Sequence, residues 1–177
     1  PCDERVDFIL GSITDSNILE SITDCVDYIF HLATYHGNQN SIYDPLADHE
    51  NNLLTTLKLL WRIREFRQLR RVVYSGAGCA VAEKTFDVPR ATREEAPLGI
   101  HHDSPYSISK LVGELHSVYF HKQHGTPVVR ARFQNVYGQG EIPGAGQWRG
   151  TPATVWRNVV PTFIYKALHK EALPLQN

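Results

Sequence analysis

The sequence predicts an α/β fold in which a parallel sheet is covered by helices on both faces. Three segments carry this prediction: HLAT at 31–34, RVVYSGAG at 71–78 and RFQNVYG at 132–138. Each belongs to a short β-branched or aromatic run that ends in small or polar residues, and stretches with helical spacing of apolar residues separate them. Parallel strands end in this way where they open into a ligand crevice. We therefore expect a doubly wound parallel sheet.

The first half of the chain alternates strand and helix. Residues 6–10 predict a buried strand, and a short helix around 18–22 precedes a second strand over 28–32. A polar loop over 35–44 then leads to a long helix. This helix is expected over about 48–66, where apolar residues recur at helical spacing: Leu53, Leu57, Leu60 and Ile63.

The second half repeats the pattern. A strand over 71–74 is followed by a loop rich in proline and charge, and then by a helix that runs to His124. Ser104 and Pro105 have the chemistry of a helix start, and Gly125 that of a helix end. The remaining expected elements are a strand over 128–133, a glycine-rich segment over 138–150 and a final helix from 154 to about 168.

Composition restricts the class of function. The 177 residues are 42% hydrophobic and 21% charged, with 18 Lys plus Arg against 19 Asp plus Glu and a net charge of -1. This is the composition of an ordinary globular domain, without the basic patch that nucleic-acid binding requires. The sequence contains no apolar run of transmembrane length and no signal-peptide pattern. We expect neither a nucleic acid nor a membrane as partner.

Cysteine and histidine patterns predict no metal site. Cys2, Cys25 and Cys79 are too few and too scattered for a disulfide framework or a zinc site. The nearest histidine pairs, at 101–102 and at 121 and 124, have no Cys or carboxylate at ligand spacing. These observations favour a reducing, cytoplasmic location.

The segment PYSISK places Tyr106 and Lys110 four residues apart at the start of a helix that we expect to be strongly amphipathic. That spacing brings a phenol and an ammonium to one helix face. The lysine charge favours the phenolate, so the pair can act as an acid/base near neutral pH. For this spacing alone, a surface Tyr and Lys on an exposed helix is the competing interpretation. The strand-end segments on both sides of PYSISK favour chemistry.

With these motifs in this order, the chain resembles the extended short-chain dehydrogenases/reductases over nearly its whole length, in particular the NAD-dependent nucleotide-sugar epimerases and dehydratases. HLATYHGN, YSGAGC, GQWRGTPATVWRN and PTFIYKAL are similar to segments of bacterial surface-polysaccharide epimerases. The resemblance implies a Rossmann-like sheet, NAD as cofactor and a nucleotide-sugar as substrate. It implies a partial NAD-binding domain over 1–137 and the start of the nucleotide-sugar region over 138–177.

One motif of the family is missing. No G-x-G-x-x-G follows an apolar strand, although in this family that loop holds the cofactor pyrophosphate. Compared with the family, the chain starts ahead of the third strand and stops before the rest of the sugar-binding region. With the strand order 3-2-1-4-5-6, the strands over 6–10 and 28–32 would flank a two-strand gap. We therefore expect part of a longer enzyme, truncated at both ends.

The resemblance also implies the cofactor contacts. The adenine-side pattern G-D-I-x-D falls on residues 11–15, with Ser12 in place of the usual Asp and Ile13 offering its backbone. Asp15 is either a contact or a helix N-cap. Asn52 matches a helix Asn of the family, and we expect it to brace the strand that ends in Ser75. The other implied cofactor contacts are Leu32, Ala33, Thr34, Ser75, Tyr106, Lys110 and Phe133.

The catalytic hydroxyl of the family is missing as well. Aligning YSGAGCAVAE with S-S-x-x-V-Y-G places Ala77 at the position of the catalytic Ser or Thr. Ser75, Cys79, Thr34 or a water remain as groups that could polarise the sugar oxygen. The dehydratases carry an Asp-Glu pair where this chain has Gly78 and Cys79, which argues against dehydration. Cys79 resembles a Cys of the GDP-mannose 3,5-epimerases, although a small buried side chain is the competing interpretation.

Several polar residues resemble the family's substrate contacts. Asn135 and Asn158 match residues that hold the nucleotide-sugar, and the resemblance implies that Ala77 contacts the same substrate. Arg149 stands where the 3,5-epimerases have an acid/base Lys. Because Arg stays charged, it is better suited to grip a phosphate or a sugar carboxylate. At least one of the other arginines is expected to form a structural ion pair, from the set Arg130, Arg132 and Arg157.

These expectations lead to an NAD-dependent nucleotide-sugar 4-epimerase, in which Tyr106 removes the C4 hydroxyl proton and a transient 4-keto sugar turns over. A C3/C5 epimerase that uses Cys79 for proton transfer at carbon is the second interpretation. A non-catalytic nucleotide-binding homologue is the third. The resemblance further implies a homodimer through a four-helix bundle, formed by the Leu53 helix and the helix over 111–119.

Overall fold

The computed structural model describes residues 5–81, 91–138 and 159–173. Three parallel strands form the sheet, β1 (Tyr28–His31), β2 (Arg71–Ala77) and β3 (Val128–Phe133), in the order β1-β2-β3. Their carboxyl ends meet at one edge because the strands are parallel. The predicted parallel α/β fold is confirmed.

Helices connect these strands and enclose one apolar core. In chain order they are α1 (Ser16–Ser21), α2 (Asn38–Tyr43), α3 (Pro45–Asp48), a π-helix (His49–Leu54), α4 (Thr55–Ile63), a short 3-10 turn (Gly78–Ala80), α5 (Pro105–His124) and α6 (Val159–Leu168). The core joins Leu59, Leu60 and Ile63 of α4 to Val72 of β2 and Phe120 of α5. This burial of aliphatic and aromatic side chains holds α4 and α5 against the sheet.

Helix α5 begins and ends where its local chemistry predicts. The Ser104 hydroxyl accepts a hydrogen bond from the Ser107 amide at 3.2 Å, and Pro105 occupies the first turn. Gly125 ends the helix with φ of 70°, in the left-handed region. Both predicted caps of this helix are present.

The prediction that α5 is strongly amphipathic, with an apolar buried face, is wrong. The buried face of the helix is small and polar, and it comprises Ser107, Ser109, Lys110, Gly113, Glu114 and Ser117 together with Phe120. Apolar side chains of the same helix are exposed: Ile108, Leu115 and Tyr119. Close packing explains part of this pattern. A Cβ atom at Gly113 would collide with the ring of Tyr74, whose hydroxyl donates to the Lys110 carbonyl at 3.1 Å.

The helix expected over about 48–66 starts earlier and is not uniform. It begins at Pro45, passes through the π-helix and ends at Ile63. The polar loop expected over 35–44 contains α2. Polar residues hide this helix from an apolar periodicity test, because α2 buries Asn40 and Ser41 rather than aliphatic side chains.

The strand expected over 6–10 is also wrong. These residues form no strand, and Phe8 and Leu10 are 81% and 87% exposed. An apolar run becomes a strand only beside a neighbour that accepts its backbone hydrogen bonds, and the described sheet pairs β1 with β2 alone.

The remaining elements differ from expectation mainly at their ends. Asp15 is the N-cap of α1, accepting from the Asn17 amide at 2.9 Å, as one of its two expected roles requires. The expected start of the final helix at 154 lies outside the described residues, and α6 is described from Val159. No helix in the described part of the chain is long and apolar enough to span a membrane.

Candidate active site

A cavity of about 620 Å³ lies at the edge where the three strands end. Its lining comes from the segment after β1 and the start of α2, from the ends of β2 and β3 with the residues that follow them, and from the first two turns of α5. It brings together these sequence-predicted residues: Leu32, Thr34, Ser75, Ala77, Cys79, Tyr106, Lys110, Phe133 and Asn135. Ligand sites of parallel sheets lie at this edge.

Other predicted site residues lie elsewhere. Ser12, Ile13 and Ala33 do not line this cavity. The Ser12 hydroxyl oxygen instead accepts from the Thr14 amide at 3.2 Å and from the Thr14 hydroxyl at 2.9 Å. Arg149 and Asn158 lie outside the described residues.

Tyr106 and Lys110 face the cavity from adjacent turns of α5. The Lys110 ammonium nitrogen is 5.8 Å from the centroid of the Tyr106 ring. The Tyr106 amide donates to the Ser41 hydroxyl of α2 at 3.0 Å, and the His36 ring meets the Tyr106 ring edge-on at 5.8 Å between centroids. Helix capping, α2 and the segment after β1 thus fix the position of the phenol.

Lys110 is a buried cation with its donors directed into the site. Only 4% of the residue is exposed, and its ammonium donates to the Ser75 carbonyl at 2.8 Å and the Ser75 hydroxyl at 3.4 Å. Burial lowers the pKa of Lys110 to about 8, while electrostatic interactions with Asp48 and, secondarily, Cys79 act in the opposite direction. The ammonium form therefore predominates at pH 7, close to the pH at which it begins to lose its proton.

Cys79 lies half-buried in the same cavity. Burial raises the pKa of its thiol, and Asp103 adds to the rise, while a hydrogen bond with Ser107 and the charge of Lys110 work against it. The side chain is therefore a neutral thiol near pH 7, which can donate a proton but is a poor base.

A chain of buried polar groups extends from Lys110 through β1 to α4. The Ser75 hydroxyl donates to the His31 carbonyl at 2.8 Å, and Nε2 of His31 lies 3.0 Å from the Thr56 hydroxyl. Thr56 gives its own proton to the Asn52 carbonyl at 2.6 Å, so its oxygen accepts from Nε2–H of His31. Burial, and secondarily Lys110, lowers the pKa of His31 to about 4, which keeps its ring neutral.

Asn52 braces a different segment from the one expected. Its Oδ1 accepts from the Thr34 hydroxyl at 2.9 Å and the Tyr35 amide at 2.7 Å, and its Nδ2 donates to the Tyr35 carbonyl at 3.0 Å and to Asp48 Oδ1 at 2.7 Å. It therefore holds the segment after β1, not the strand that ends in Ser75. The π-helix places Asn52 on the loop side, which a regular helical pattern would not show.

Sequence reasoning missed several residues that line the cavity. His36 and the amides of Asn38, Gln39 and Gln134 belong to it. A side chain at Gly78 would collide with Gln134, so the glycine leaves room for this amide. The available signal was position, because each of these residues follows the carboxyl end of a strand by one to eight residues.

Glu114, which the sequence did not single out, explains the role of Arg132. Its carboxylate is 1% exposed and accepts from Nε and Nη2 of Arg132 at 3.0 and 2.8 Å. Arg130 Nη1 lies farther away, at 3.8 Å. The expected structural ion pair is thus formed by Arg132, while Arg157 lies outside the described residues.

Comparison with known proteins identifies the family. The model of the NAD dependent epimerase/dehydratase family matches residues 1–177. The chain belongs to this family. Its members of known structure include extended short-chain dehydrogenases/reductases that act on nucleotide-sugars, and they depend on NAD.

Three proteins similar to this chain illustrate the range of reactions in the family. The Bordetella bronchiseptica enzyme WbmF, solved with NAD+, is 60% identical, with a TM-score of 0.81 over 100% of this chain and 50% of that chain. A putative UDP-glucose 4-epimerase of Methanocaldococcus jannaschii is 29% identical over 140 residues, which is 78% of this chain and 44% of its own length. DesIV, a dTDP-glucose 4,6-dehydratase of Streptomyces venezuelae solved with NAD and TYD, is 26% identical, with a TM-score of 0.77 over 98% of this chain and 48% of that chain.

These comparisons confirm the family, the Rossmann-like fold and the NAD dependence that the motifs imply. Epimerases and dehydratases both occur among the relatives, so the family alone does not decide the reaction. The epimerase/dehydratase chain spans about half the length of these relatives.

Proposed function

We propose that the protein to which this chain belongs is an NAD-dependent nucleotide-sugar 4-epimerase with Tyr106 as its acid/base. The observation that carries the proposal is the buried ammonium of Lys110 beside the Tyr106 ring, in a cavity where three parallel strands end. A phenol becomes a useful base near neutral pH only when a neighbouring cation stabilises the phenolate.

The residues of the cavity fit the reactive end of NAD. Its volume of about 620 Å³ lies in the range of small-molecule sites. Gly76, Ala77 and Gly78 form a wall without bulky side chains, so a flat ring and a ribose can approach the backbone of β2 closely. Lys110 offers an ammonium that can donate to ribose hydroxyls. When bound, NAD supplies the acceptor and donor for the hydride at C4 of the sugar.

The chain's own residues carry the proton steps. Tyr106 takes the proton from the C4 hydroxyl as that carbon is oxidised, and it returns the proton when the 4-keto sugar is reduced on its other face. Lys110 stabilises the phenolate between these two steps. With Ala77 at the position of the usual hydroxyl, the thiol of Cys79 is the candidate donor to the sugar oxygen, because the Thr34 and Ser75 hydroxyls, which also line the cavity, donate to Asn52 and to the His31 carbonyl.

The same cavity supports epimerisation over dehydration. Gly78 and Cys79 occupy the positions at which dehydratases of the family carry their Asp-Glu pair. Neither can serve as the carboxylate that takes a proton from carbon. The second candidate is a C3/C5 epimerase, favoured by Cys79 in the cavity wall. Because burial raises the pKa of this thiol, it is less suited to remove a proton from carbon than to donate one.

We further propose that Ala77 and Asn135 contact the sugar portion of the substrate, since both line the cavity. Arg149 and Asn158 retain their proposed roles toward the nucleotide-sugar on the basis of sequence alone. Ser12, Ile13 and Ala33 retain theirs toward the adenine half of NAD, away from this cavity.

The decisive experiment replaces Tyr106 by Phe in the full-length protein. We expect epimerisation of a nucleotide-sugar panel, followed by NMR of the products, to fall by about 10²–10⁴-fold, while NAD+ still binds. Tyr119→Phe is the matched control, because Tyr119 lies on the same helix but is 54% exposed. Unchanged activity in Tyr106→Phe would sink the proposal and favour a non-catalytic nucleotide-binding homologue.

The two epimerase candidates separate in D2O. Inversion at C4 returns the same hydride to the same carbon, so no solvent deuterium enters the sugar ring carbons. Inversion at C3 or C5 exchanges a carbon-bound proton, so deuterium enters there and a Cys79→Ser variant loses the exchange. Deuterium at C3 or C5 of the product would replace the first candidate by the second.

A further inference from the structure

Two carboxylates in the described part of the chain are almost completely buried, Asp48 at 0% and Glu114 at 1% exposure. A buried carboxylate is stable as an anion only when a cation balances its charge. Glu114 has its cation in Arg132, at 2.8 Å. Among the described lysines and arginines, Lys110 is the one that falls in the buried class, at 4%.

Asp48 lies at the end of α3, which packs against α5, the helix that carries Lys110. Its Oδ1 accepts from Asn52 Nδ2 at 2.7 Å, and its Oδ2 makes no hydrogen bond among the residues described while lying 3.4 Å from Nδ1 of His49. The His49 side chain is 43% exposed, whereas Lys110 is buried. Lys110 is therefore the buried cation that can balance Asp48 near neutral pH.

We propose that Asp48 is a positioning residue. Its buried carboxylate balances the charge of the Lys110 ammonium, and its hydrogen bond with Asn52 connects it to the segment of Thr34 and Tyr35. Nothing in the family assignment gives Asp48 a role. Asp48 does not line the cavity, and it acts through two groups that line or brace it.

Electrostatics agrees with this geometry. The charge of Asp48 is the largest influence that raises the pKa of Lys110 against the stronger effect of burial. Burial raises the pKa of Asp48, while the nearby Ser109 and Asn52 side chains and the charges of His49 and Lys110 lower it. Removing the carboxylate charge therefore makes the ammonium easier to deprotonate.

The titratable groups around this pair come from every neighbouring element. They are His31 on β1, Tyr74 on β2, Cys79 after β2, Tyr106 on α5 and His49 beside Asp48 itself. Burial lowers the pKa of His31 to about 4, so its ring is neutral above pH 7. The test is therefore run above pH 7, in the range where Lys110 loses its proton.

The first experiment measures NAD+ affinity of the full-length protein from pH 7 to pH 10. It rests on the proposed contact of Lys110 with the cofactor. In the wild type we expect affinity to fall as Lys110 loses its proton near pH 8. Asp48→Asn keeps an acceptor for Asn52 but removes the charge, so the midpoint of this fall should move down by about half a pH unit or more. Glu50→Gln removes an exposed carboxylate from the same helical segment and should leave the midpoint in place.

The second experiment does not depend on cofactor binding. Unfolding midpoints of Asp48→Asn, Lys110→Met and the double variant form a cycle. If the two charges balance each other, Lys110→Met leaves the buried Asp48 carboxylate without its cation. The double variant is then more stable than the sum of the two single effects predicts. Additive effects, or equal NAD+ midpoints in Asp48→Asn and Glu50→Gln, would overturn the role of Asp48 without affecting the proposed epimerase activity.

If the Asp48→Asn variant alone fails to fold, the double variant decides. Recovery of folding in the double variant supports the pairing, and failure to recover it contradicts the pairing.

Discussion

Lys110 shows how one side chain can serve both the fold and the proposed chemistry. Its ammonium donates to the Ser75 carbonyl at the end of β2 while facing the Tyr106 ring. Burial destabilises the charged form and brings the pKa of Lys110 to about 8, so its charge responds to pH close to the physiological range.

The first prediction at this scale concerns alkaline pH. Because the pKa of Lys110 is about 8, its proton leaves as the pH rises through that value. We expect kcat/KM of the full-length protein to decline above about pH 8 and to follow the loss of one proton. A pH profile measured on a nucleotide-sugar that the enzyme turns over checks this, and a flat profile up to pH 10 would contradict it.

His31 gives a prediction on the acidic side. Its pKa is about 4 in the folded chain and 6.5 in the unfolded reference, so the unfolded state binds more protons between these values. The free energy of unfolding should therefore decrease as the pH falls through this window, by roughly 3 kcal/mol in total. Denaturant titrations at pH 7 and pH 4.5 measure the decrease.

The matched variants for this prediction are His31→Gln and His101→Gln. A glutamine at position 31 can still donate to Thr56 but does not titrate, so much of the pH dependence should disappear. His101 is exposed, and its replacement should leave the dependence unchanged. Equal acid sensitivity in both variants would show that another group causes it.

At the residue scale, the sequence predicts what local spacing determines. Tyr106 and Lys110 meet because a helix brings positions four apart together. The partner of Asn52 could not be predicted, because it depends on the wider turn of the π-helix, which carries no apolar signature. His36 was missed for a related reason: it packs against Tyr106 across a sequence separation that no local pattern records.

At the scale of elements, α5 departs most from expectation. Its caps follow from Ser104 and Gly125, which act within a few residues of the helix ends. Its polar buried face could not be derived from periodicity, since Glu114 is buried only because Arg132 reaches it from β3. The ion pair between α5 and β3 therefore determines which face of α5 is buried.

This ion pair yields a prediction for stability. Replacing Arg132 by Met leaves the Glu114 carboxylate buried with Arg130 at 3.8 Å as its remaining cation, and we expect a loss of roughly 3 kcal/mol in the free energy of unfolding. Arg130→Met is the matched control, because this side chain is 44% exposed and its loss should cost under about 1 kcal/mol. Urea unfolding of both variants gives the comparison. Equal losses would mean that Arg132 is not the principal partner.

At the scale of the whole molecule, exposed apolar side chains on two neighbouring helical segments favour the homodimer that we propose. Leu54 and Trp61 are seven residues apart on one segment, and Ile108 and Leu115 are seven apart on α5, followed by Tyr119. Positions seven apart lie on the same face of a helix. Pairing of these two stripes with those of a second copy would form a four-helix bundle.

The corresponding prediction uses sedimentation of the full-length protein. The wild type should sediment as a dimer at micromolar concentration, and Leu115→Lys should shift it toward a monomer, because a charge would be buried in the bundle. Leu98→Lys serves as control, since Leu98 is 40% exposed in the loop before α5. A monomeric wild type, or equal behaviour of the two variants, would refute the bundle.

The close approach of Gly113 and Tyr74 has a consequence for the reactive phenol. With no methyl group at position 113, α5 settles on β2 to a depth fixed by the thickness of an aromatic ring. Tyr106 lies two turns earlier on α5, so the distance of its side chain from the strand ends depends on how closely α5 packs on β2. The absence of a side chain at Gly113 therefore helps to determine how far the Tyr106 hydroxyl extends into the cavity.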